Sequence, residues 1–376
     1  MHPSDQYIAN RLNERKQAGN YRTLKPESTD LIDFSSNDYL GFARSAKLNE
    51  LIAGELAQYP GYYNGSTGSR LLTGNLQYAE QLEQQIARYH GYEAGLLFNS
   101  GYDANLGLFS SLPQRADTVI TDELIHASII DGIRLSNANR YTFKHNDLVS
   151  LEEKLQHAKG QIYVVIESVY SMDGDIPPIA AILELTTQYN AHLIVDEAHA
   201  IGVFGKGLIN ELNLQQKVFA CIITFGKAMG THGAIVLSSA LLNNYLVNFA
   251  RSFIYSTAAS FHQLAGIKMA YQLLNNSQND IQNLQVNIKL FNELLSAYQI
   301  KNNSTSAIHC VMAGCNDKAK LIAQNLNYTG IDVRPVLSPT VAAGTERLRI
   351  CIHAYNTPQQ IQLLANTLNK LINASA

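Results

Sequence analysis

The chain has 376 residues, of which 46% are hydrophobic and 16% charged, as in an ordinary globular protein and unlike a disordered one. This length allows one large core and a smaller domain, because single cores stop growing beyond about 250–300 residues. The formal net charge of −3 gives no reason to expect nucleic acid or an anionic membrane surface as a partner.

The cysteines and the N-terminal residues indicate the compartment. Cys221, Cys310, Cys315 and Cys351 form no CxxC pair and no disulfide ladder, which favours a reducing environment. His309 lies beside Cys310, but no second ligand pair accompanies them, so we predict packing roles and no metal site. The first fifteen residues lack a secretory apolar core, and no apolar run reaches the ~18 residues of a membrane span. We therefore expect a soluble, cytoplasmic protein.

In chain order, the first forty residues predict a helical arm followed by a short extended segment. The middle of the chain then repeats one pattern, an apolar run that ends abruptly in polar residues. These runs cover residues 94–98, 118–120, 162–166, 193–195 and 221–223. The ends of the last three, at Glu167, Asp196 and Thr224, are separated by close to the ~30 residues of a strand–helix–strand unit.

Continuous apolar strands that alternate with helices, such as the one predicted over 179–189, indicate a parallel sheet covered on both faces. Ligands bind at the carboxyl ends of the strands in such sheets, where Asn99, Asp122, Glu167 and Asp196 fall. We predict an α/β fold with a mostly parallel central sheet covered by helices.

The pattern of apolar and polar residues changes after residue 275. A wholly polar stretch over 275–280 precedes a helix-like region, a strand candidate at 348–352 and a C-terminal helix over 357–373. We predict three parts: an N-terminal arm with a short extended segment (1–45), a large ligand-binding domain (46–275), and a smaller α+β domain at the C-terminus (276–376).

Lys227 follows the apolar run 221–223 and lies between Gly226 and Gly230. One interpretation is a lysine in a surface loop, where most lysines lie. The alternative is a buried amine, because the preceding strand is apolar and the glycines permit tight turns. A buried lysine shifts its pKa readily and suits Schiff-base chemistry.

Asp196 begins the sequence Asp-Glu-Ala-His, which ends at His199, directly after an apolar strand. The same letters form the magnesium-binding box of helicase-type ATPases, but that function needs a phosphate loop upstream. The candidates, Gly205-Lys206-Gly207 and Gly226-Lys227-Ala228, lie downstream and lack the following Ser or Thr. An acid for a pyridinium nitrogen and a lysine for an aldehyde are instead the two groups that pyridoxal phosphate (PLP) needs.

Three further positions each have two interpretations. Gly101 and Tyr102 begin a helix-like stretch after a strand, so their backbone N–H groups form either a phosphate site or a plain turn; Thr224 could donate its hydroxyl to the same phosphate. His126 is either a surface helix residue or part of the polar cluster at the strand ends. The side chain of Arg349 either is exposed with Arg347 on an edge strand or presents its fork-shaped guanidinium to a substrate carboxylate.

Several motifs, taken in order, resemble the α-oxoamine synthases, which are PLP enzymes of fold type I. The motifs are Ser36-Asn37-Asp38-Tyr39-Leu40-Gly41, the stretch 65–74, Ser100-Gly101-Tyr102, His126-Ala127-Ser128, Tyr170-Ser171-Met172-Asp173-Gly174-Asp175, Asp196-Glu197-Ala198-His199, the stretch 224–227, Ile254-Tyr255-Ser256-Thr257 and Pro339-Thr340-Val341. The resemblance covers nearly the whole chain.

The resemblance implies a role for each matching residue. For the cofactor, Lys227 would hold PLP covalently, Asp196 would pair its ring nitrogen, His126 would stack on the ring and His199 would hydrogen-bond its hydroxyl. The Gly101 and Tyr102 backbone and the Thr224 side chain would bind the phosphate, and Glu167 and Ser171 would line the cofactor site. Arg349 would bind the amino-acid carboxylate, and the other substrate contacts would be Arg22, Asn37 and Thr340. Ser256 and Thr257 would reach the cofactor of a neighbouring subunit in a homodimer.

The resemblance further implies a PLP-dependent acyltransferase that joins L-alanine to a pimeloyl thioester in biotin biosynthesis. Two alternatives remain: a sister enzyme that uses glycine or serine with another acyl-CoA, and a PLP-binding partner without activity. The chain departs from the family pattern at Tyr102, where Phe is also common, and in residues 337–343, where usual prolines are absent. The second departure lies in a substrate loop and puts the acyl-chain preference in question.

Overall fold

The computed structural model describes residues 2–24, 30–62 and 64–373. The strands are β1 (Ile32–Asp33), β2 (Ala94–Phe98), β3 (Thr118–Asp122), β4 (Asn139–Phe143), β5 (Ile162–Glu167), β6 (His192–Asp196), β7 (Ala220–Thr224), β8 (Ala234–Ser238), β9 (Ile308–Met312), β10 (Ile331–Asp332), β11 (Arg334–Val336) and β12 (Arg347–Cys351).

The helices are α1 (Pro3–Gln17), α2 (Ala46–Ala57), α3 (Gln77–His90), α4 (Gly101–Ser111), α5 (Ala127–Ser136), α6 (Leu148–His157), α7 (Ile179–Gln188), α8 (Leu208–Glu211), α9 (Ala240–Phe249), α10 (Arg251–Ile254), α11 (Phe261–Leu274), α12 (Gln278–Ala297), α13 (Asn316–Tyr328) and α14 (Pro358–Asn373); a single 3₁₀ turn covers Phe42–Arg44. The predicted polar stretch 275–280 thus forms the connection to α12 and its first turn.

Seven strands form the central sheet in the order β2-β8-β7-β6-β5-β3-β4. The run from β7 to β4 is parallel, whereas β8 is antiparallel to both β2 and β7. Each predicted apolar run is a strand of this sheet, and Val164, Ile194 and Val236 have no exposed surface. The prediction of a mostly parallel sheet covered by helices is confirmed.

Helices α4 and α5 pack on one face of this sheet. Phe109 and Ile129 are fully buried there, in one apolar cluster with the β5 residue Val165. Gly132 permits the close approach of the two helices, since a Cβ at this position would lie 2.9 Å from Cβ of Phe109. Each of the two helices follows a strand of the sheet within a few residues, so this packing fixes the positions of their N-terminal residues.

The chain divides into two compact units. The large unit contains residues 38–171 and 175–283 and holds the central sheet. The small unit contains residues 1–37, 172–174 and 284–376. These boundaries differ from 45 and 275, and three residues from the middle of the chain join the small unit; the predicted three-part division stays a prediction.

Within the small unit, β9, β12 and β11 form an antiparallel sheet with β12 in the centre, while β1 pairs with β10 in parallel. The interpretation of Arg347 and Arg349 as exposed charges on an edge strand is therefore wrong. Arg347 is only 8% exposed. Its guanidinium donates to the Met172 carbonyl at 3.2 Å and pairs with Asp173.

None of the helices in the described ranges combines the length and the apolar character that crossing a membrane requires.

Candidate active site

A cavity of about 180 Å³ lies in the large unit at the carboxyl ends of β5, β6 and β7. This is the sheet edge at which the sequence predicts ligand binding. The residues that line it are Gly101, Tyr102, Asn105, His126, Ser128, Glu167, Asp196, Ala198, Ile222, Thr224 and Lys227.

Lys227 lies in the turn that follows β7 and is half-buried, so the interpretation as an ordinary surface lysine does not hold. Gly230 closes the turn with φ +62°, and a Cβ there would clash with the backbone of Phe42. The Lys227 amine is 2.6 Å from Nε2 of His199. Nδ1 of His199 is in turn 2.8 Å from the hydroxyl of Tyr39, which has no exposed surface.

Asp196 ends β6 and is 5% exposed. Its Oδ1 accepts the Ala198 backbone N–H at 2.9 Å, and its Oδ2 accepts a hydrogen bond from the Asn105 amide at 2.9 Å. The same amide nitrogen donates to Oγ of Ser128 at 3.0 Å, and that oxygen is 2.7 Å from Nδ1 of His126. A hydrogen-bond chain therefore links the buried Asp196 to His126.

His126 is the N-cap of α5, and its Nδ1 accepts the Ser128 backbone N–H at 3.3 Å. It lines the cavity together with Asp196 and Lys227, and the residue as a whole is exposed. Desolvation lowers the pKa of its imidazole, and the positive charge of Lys227 acts in the same direction while Asp196 opposes them. The ring is therefore neutral over more of the pH range than an ordinary histidine.

Glu167 ends β5 and is 3% exposed. Burial raises the pKa of this carboxyl to about 8, and the negative charge of Asp196 adds to the effect. Its Oε2 accepts the Ser171 backbone N–H at 3.3 Å, which places Ser171 beside it. Two carboxyl groups thus lie at adjacent strand ends, and Glu167 is protonated at neutral pH.

The first turn of α4 offers an anion site. Ser100 caps the helix by accepting the Asp103 N–H at 3.1 Å, which leaves the N–H groups of Gly101 and Tyr102 at the positive end of an eleven-residue helix. Thr224 lies against the same turn, since a Cβ at Gly101 would be 3.4 Å from its Oγ1.

The four predicted substrate residues form two pairs within the small unit. Arg22 donates to Oγ1 of Thr340 at 3.2 Å, and both line a cavity of about 320 Å³. Arg349 donates to Oδ1 of Asn37 at 2.9 Å and to Sγ of Cys351 at 3.1 Å.

Ser256 and Thr257 line a different pocket of the large unit. The Thr257 carbonyl accepts the side-chain amide of Asn99 at 2.8 Å, which ties the segment to the end of β2.

A family model described as aminotransferase class I and II matches residues 29–368. The chain belongs to this family. Within it, the chain is 39% identical to 8-amino-7-oxononanoate synthase of Emericella nidulans (95% of this chain and 93% of that one) and 35% identical to the enzyme of the same name from Lysinibacillus sphaericus (94% and 92%).

Two solved structures resemble this class I and II aminotransferase fold over most of their length. Serine palmitoyltransferase of Sphingomonas wittichii has a TM-score of 0.89 at 26% identity, with 98% of this chain and 97% of that one covered. 8-Amino-7-oxononanoate synthase of Francisella tularensis has a TM-score of 0.80 at 30% identity, with 93% and 99% covered. The resemblance to the α-oxoamine synthases is thus confirmed, and the helicase-type ATPase alternative is wrong. The chain is a PLP-dependent acyltransferase.

The residues present fit PLP. Oε1 of Glu167 and Oδ1 of Asn105 are buried without a hydrogen-bond partner, and both side chains line the cavity beside Lys227. Buried polar atoms rarely remain unpaired, so the cavity suits a ligand with polar groups that pair with these atoms. A lysine amine, a buried carboxylate and a helix N-terminus match the aldehyde, the ring nitrogen and the phosphate of PLP.

Proposed function

We propose that the protein condenses L-alanine with a pimeloyl thioester to give 8-amino-7-oxononanoate, CO₂ and the free thiol carrier, as a step of biotin biosynthesis. The observation that carries the proposal is the placement of Lys227 and Asp196 in one cavity of a chain 39% identical to an 8-amino-7-oxononanoate synthase. The acyl donor in this proposal is a thioester of coenzyme A or of an acyl carrier protein.

PLP supplies an aldehyde that binds amines and a ring that accepts carbanion electrons. In the proposed mechanism, the Asp196 side chain would pair with the ring nitrogen, and Asn105 and the Ala198 N–H fix its orientation. Lys227 would hold the aldehyde, and its amine would remove and return a proton at the substrate α-carbon. His199 lies within hydrogen-bond reach of that amine and would hold the ring hydroxyl.

The other cofactor roles follow from position. His126 would stack on the ring, since Ser128 and the cap of α5 fix its orientation. Gly101 and Tyr102 N–H groups and the Thr224 hydroxyl would bind the phosphate. Glu167 and Ser171 would border the ring, with Glu167 as a neutral carboxylic acid able to donate a hydrogen bond.

Substrate binding is assigned to the small-unit residues. Arg349 presents a guanidinium held by Asn37 and Cys351, a fork that suits the carboxylate of the amino acid. Arg22 and Thr340 would contact the acyl substrate, because together they line a cavity of about 320 Å³.

One observation favours a second candidate, a sister enzyme that condenses serine or glycine with another acyl-CoA. The serine palmitoyltransferase structure has the higher TM-score, 0.89 against 0.80. We favour the oxononanoate reaction because the enzymes of that name are more similar in sequence, at 35–39% against 26% identity.

The test is a product assay by mass spectrometry with pimeloyl-CoA and, separately, L-alanine, glycine and L-serine. Release of 8-amino-7-oxononanoate from alanine, lost in Lys227→Ala, is the expected result. Asp196→Asn should retain cofactor but lose kcat on the order of 10²–10³-fold, because a preorganised charge is removed. Turnover by Lys227→Ala would contradict the mechanism, and product only with glycine or serine would favour the sister enzyme.

The working form is proposed to be a cytoplasmic homodimer that shares its active sites. Leu72 and Tyr255 are 80% and 70% exposed, and Tyr255 precedes Ser256 and Thr257, which would reach the cofactor of the partner. In the proposed dimer, the partner subunit would cover these exposed apolar side chains. The free cysteines favour a reducing compartment.

Subunit mixing tests the shared site. Lys227→Ala and a Ser256→Ala, Thr257→Ala double variant should each be nearly inactive alone. Mixed after reversible dissociation, they should recover activity, because one site of each hybrid dimer has all its residues. No recovery in hybrids confirmed by native mass spectrometry would contradict the shared site.

A further inference from the structure

His145 lies between β4 and α6, outside the residues that line the cofactor cavity, and both of its ring nitrogens contact carboxylates. Nδ1 is 2.9 Å from Oδ1 of Asp122, and Nε2 is 2.7 Å from Oδ2 of Asp175. Carboxylates accept hydrogen bonds and imidazole carries two N–H groups only when protonated, so this geometry requires an imidazolium. The two carboxylates accordingly raise the pKa of His145 to about 10 against the opposing effect of burial.

The first carboxylate, that of Asp122, holds the backbone segment that precedes His126. Asp122 ends β3, has no exposed surface, and uses Oδ1 to accept the Leu124 N–H at 2.8 Å. Its Oδ2 accepts the Asn146 N–H at 3.0 Å. The backbone between β3 and His126 is therefore shaped around the carboxylate that His145 holds.

The second carboxylate belongs to Asp175, a residue that is hydrogen-bonded to the segment that contains Ser171. The Asp175 carbonyl accepts the Tyr170 N–H at 3.1 Å, and the Tyr170 ring meets His145 edge-on at a centroid distance of 4.6 Å. Tyr170 is 1% exposed and directly precedes Ser171, whose N–H binds Glu167. His145 thus contacts both the acid and the aromatic ring that fix this loop.

We propose that His145 is a positioning residue for the cofactor site, an imidazolium clamp that holds the His126 segment and the Ser171 segment in register. It is not a base, because both nitrogens are engaged. Other charged or titratable groups nearby are Glu123, which accepts the His145 backbone N–H at 2.9 Å, Lys144 and Tyr170. The proposal deepens the proposed function but concerns only cofactor geometry, which is the same for any substrate of the family.

The test compares His145→Gln with His157→Gln, a matched change at an exposed histidine at the end of α6. The readouts are the dissociation constant of PLP, the circular dichroism of bound PLP and kcat/KM. Displacement of site residues by a fraction of an ångström should weaken PLP and lower kcat/KM by on the order of tenfold or more in His145→Gln. His157→Gln should match the wild type.

The pH dependence of the circular dichroism of bound PLP distinguishes a positioning role of His145 from an effect on protein stability alone. In the wild type, the circular dichroism of bound PLP should change as the pH rises through the pKa of His145, near 10. In His145→Gln that transition should be missing and the altered signal present already at neutral pH. A variant with a lower Tm but wild-type PLP affinity, dichroism and pH profile would overturn the proposal.

A second variant guards against a failure to fold. Asp175→Asn keeps the size and one acceptor but removes one charge from the clamp, so it should show the same changes at smaller amplitude. Wild-type PLP binding and dichroism in Asp175→Asn would likewise contradict the clamp. Because PLP binding is read without substrate, failure here is distinguishable from an error in the assigned reaction.

Discussion

At the scale of single residues, the site depends on side chains that act through others. Tyr39 contacts Nδ1 of His199, whose other nitrogen lies against Lys227. The partner at Nδ1 decides which nitrogen of a histidine carries the proton. Tyr39 therefore controls the hydrogen bond that His199 offers to the cofactor.

Tyr39→Phe should shift the pH midpoint of the PLP absorbance and reduce kcat by up to about tenfold, since a hydrogen bond is worth about 0.5–1.5 kcal/mol. Spectrophotometric pH titration of the loaded enzyme measures the first effect. Tyr163→Phe is the matched control, a buried tyrosine at the amino end of β5. Identical titrations for wild type and Tyr39→Phe would remove this role.

The sequence predicts Lys227 and Asp196 because their signals are local, each a polar residue that closely follows an apolar run. Asn105 and Ser128 carry no such signal. Asn105 contacts Asp196, which is 91 residues further along the chain, and Ser128 contacts His126, which is 2 residues before it. Asn105 and Ser128 meet only because α4 packs on α5. Asn105 had one available indication, a polar residue one turn beyond Gly101 in an apolar helix.

At the scale of secondary-structure elements, runs of apolar residues predict the strands well, because strands buried on both faces need no alternation. Their neighbours are harder to predict. The alternation of polar and apolar residues in β12 does not show that β9 and β11 flank this strand. The interpretation of Arg349 as an exposed residue of an edge strand was therefore wrong. The antiparallel β8 between β2 and β7 was likewise not anticipated, since strand direction depends on the connection.

The turn at residues 172–174 offers a test at this scale. Gly174 has φ +77°, and a Cβ there would clash with the Ile308 carbonyl of β9. Gly314 has a similar φ of +84° with open space around its Cβ position. Both Gly→Ala variants incur the left-handed backbone cost of about 1–2 kcal/mol, and only Gly174→Ala adds the clash.

Thermal unfolding should therefore give a clearly lower Tm for Gly174→Ala than for Gly314→Ala. Equal Tm values would mean that the backbone conformation, and not the approach of β9, is what requires glycine at residue 174.

At the scale of the whole molecule, acid stability follows from histidines buried as neutral rings. His90 has no exposed surface, and its nitrogens contact Tyr271 at 2.9 Å and Asn210 at 3.2 Å. Burial lowers its pKa from 6.5 to about 4. The folded state thus binds this proton less readily than the unfolded state, so stability is present above pH 6.5 and is lost as the pH falls towards 4.

His90→Gln should flatten the pH dependence of the unfolding free energy in this window by up to about 1.4 kcal/mol per pH unit, the value for one proton. Urea unfolding at several pH values between 4 and 6.5 measures it. The buried His309, whose pKa is lowered from 6.5 to about 3, contributes a slope over the same window and down to about pH 3, so part of the slope remains in the variant. An unchanged slope between pH 4 and 6.5 would contradict the account.

The whole-molecule fold was largely predictable, because the strand spacing and the ordered motifs both indicate one architecture. The division into units was less so. Residues 172–174 lie in the middle of the chain yet belong with residues 284–376, and no composition change marks them. Such a segment is assigned by its tertiary contacts, including those of Arg347 with Met172 and Asp173.

The most direct test of the central claim is the visible absorption spectrum of the purified protein, titrated in parallel with L-alanine, glycine and L-serine. The account predicts a PLP band that responds at a much lower concentration of L-alanine than of the other two amino acids, and that is lost in Lys227→Ala. A preference for glycine or serine would assign the chain to a sister enzyme. No band after addition of PLP would contradict the catalytic role of Lys227.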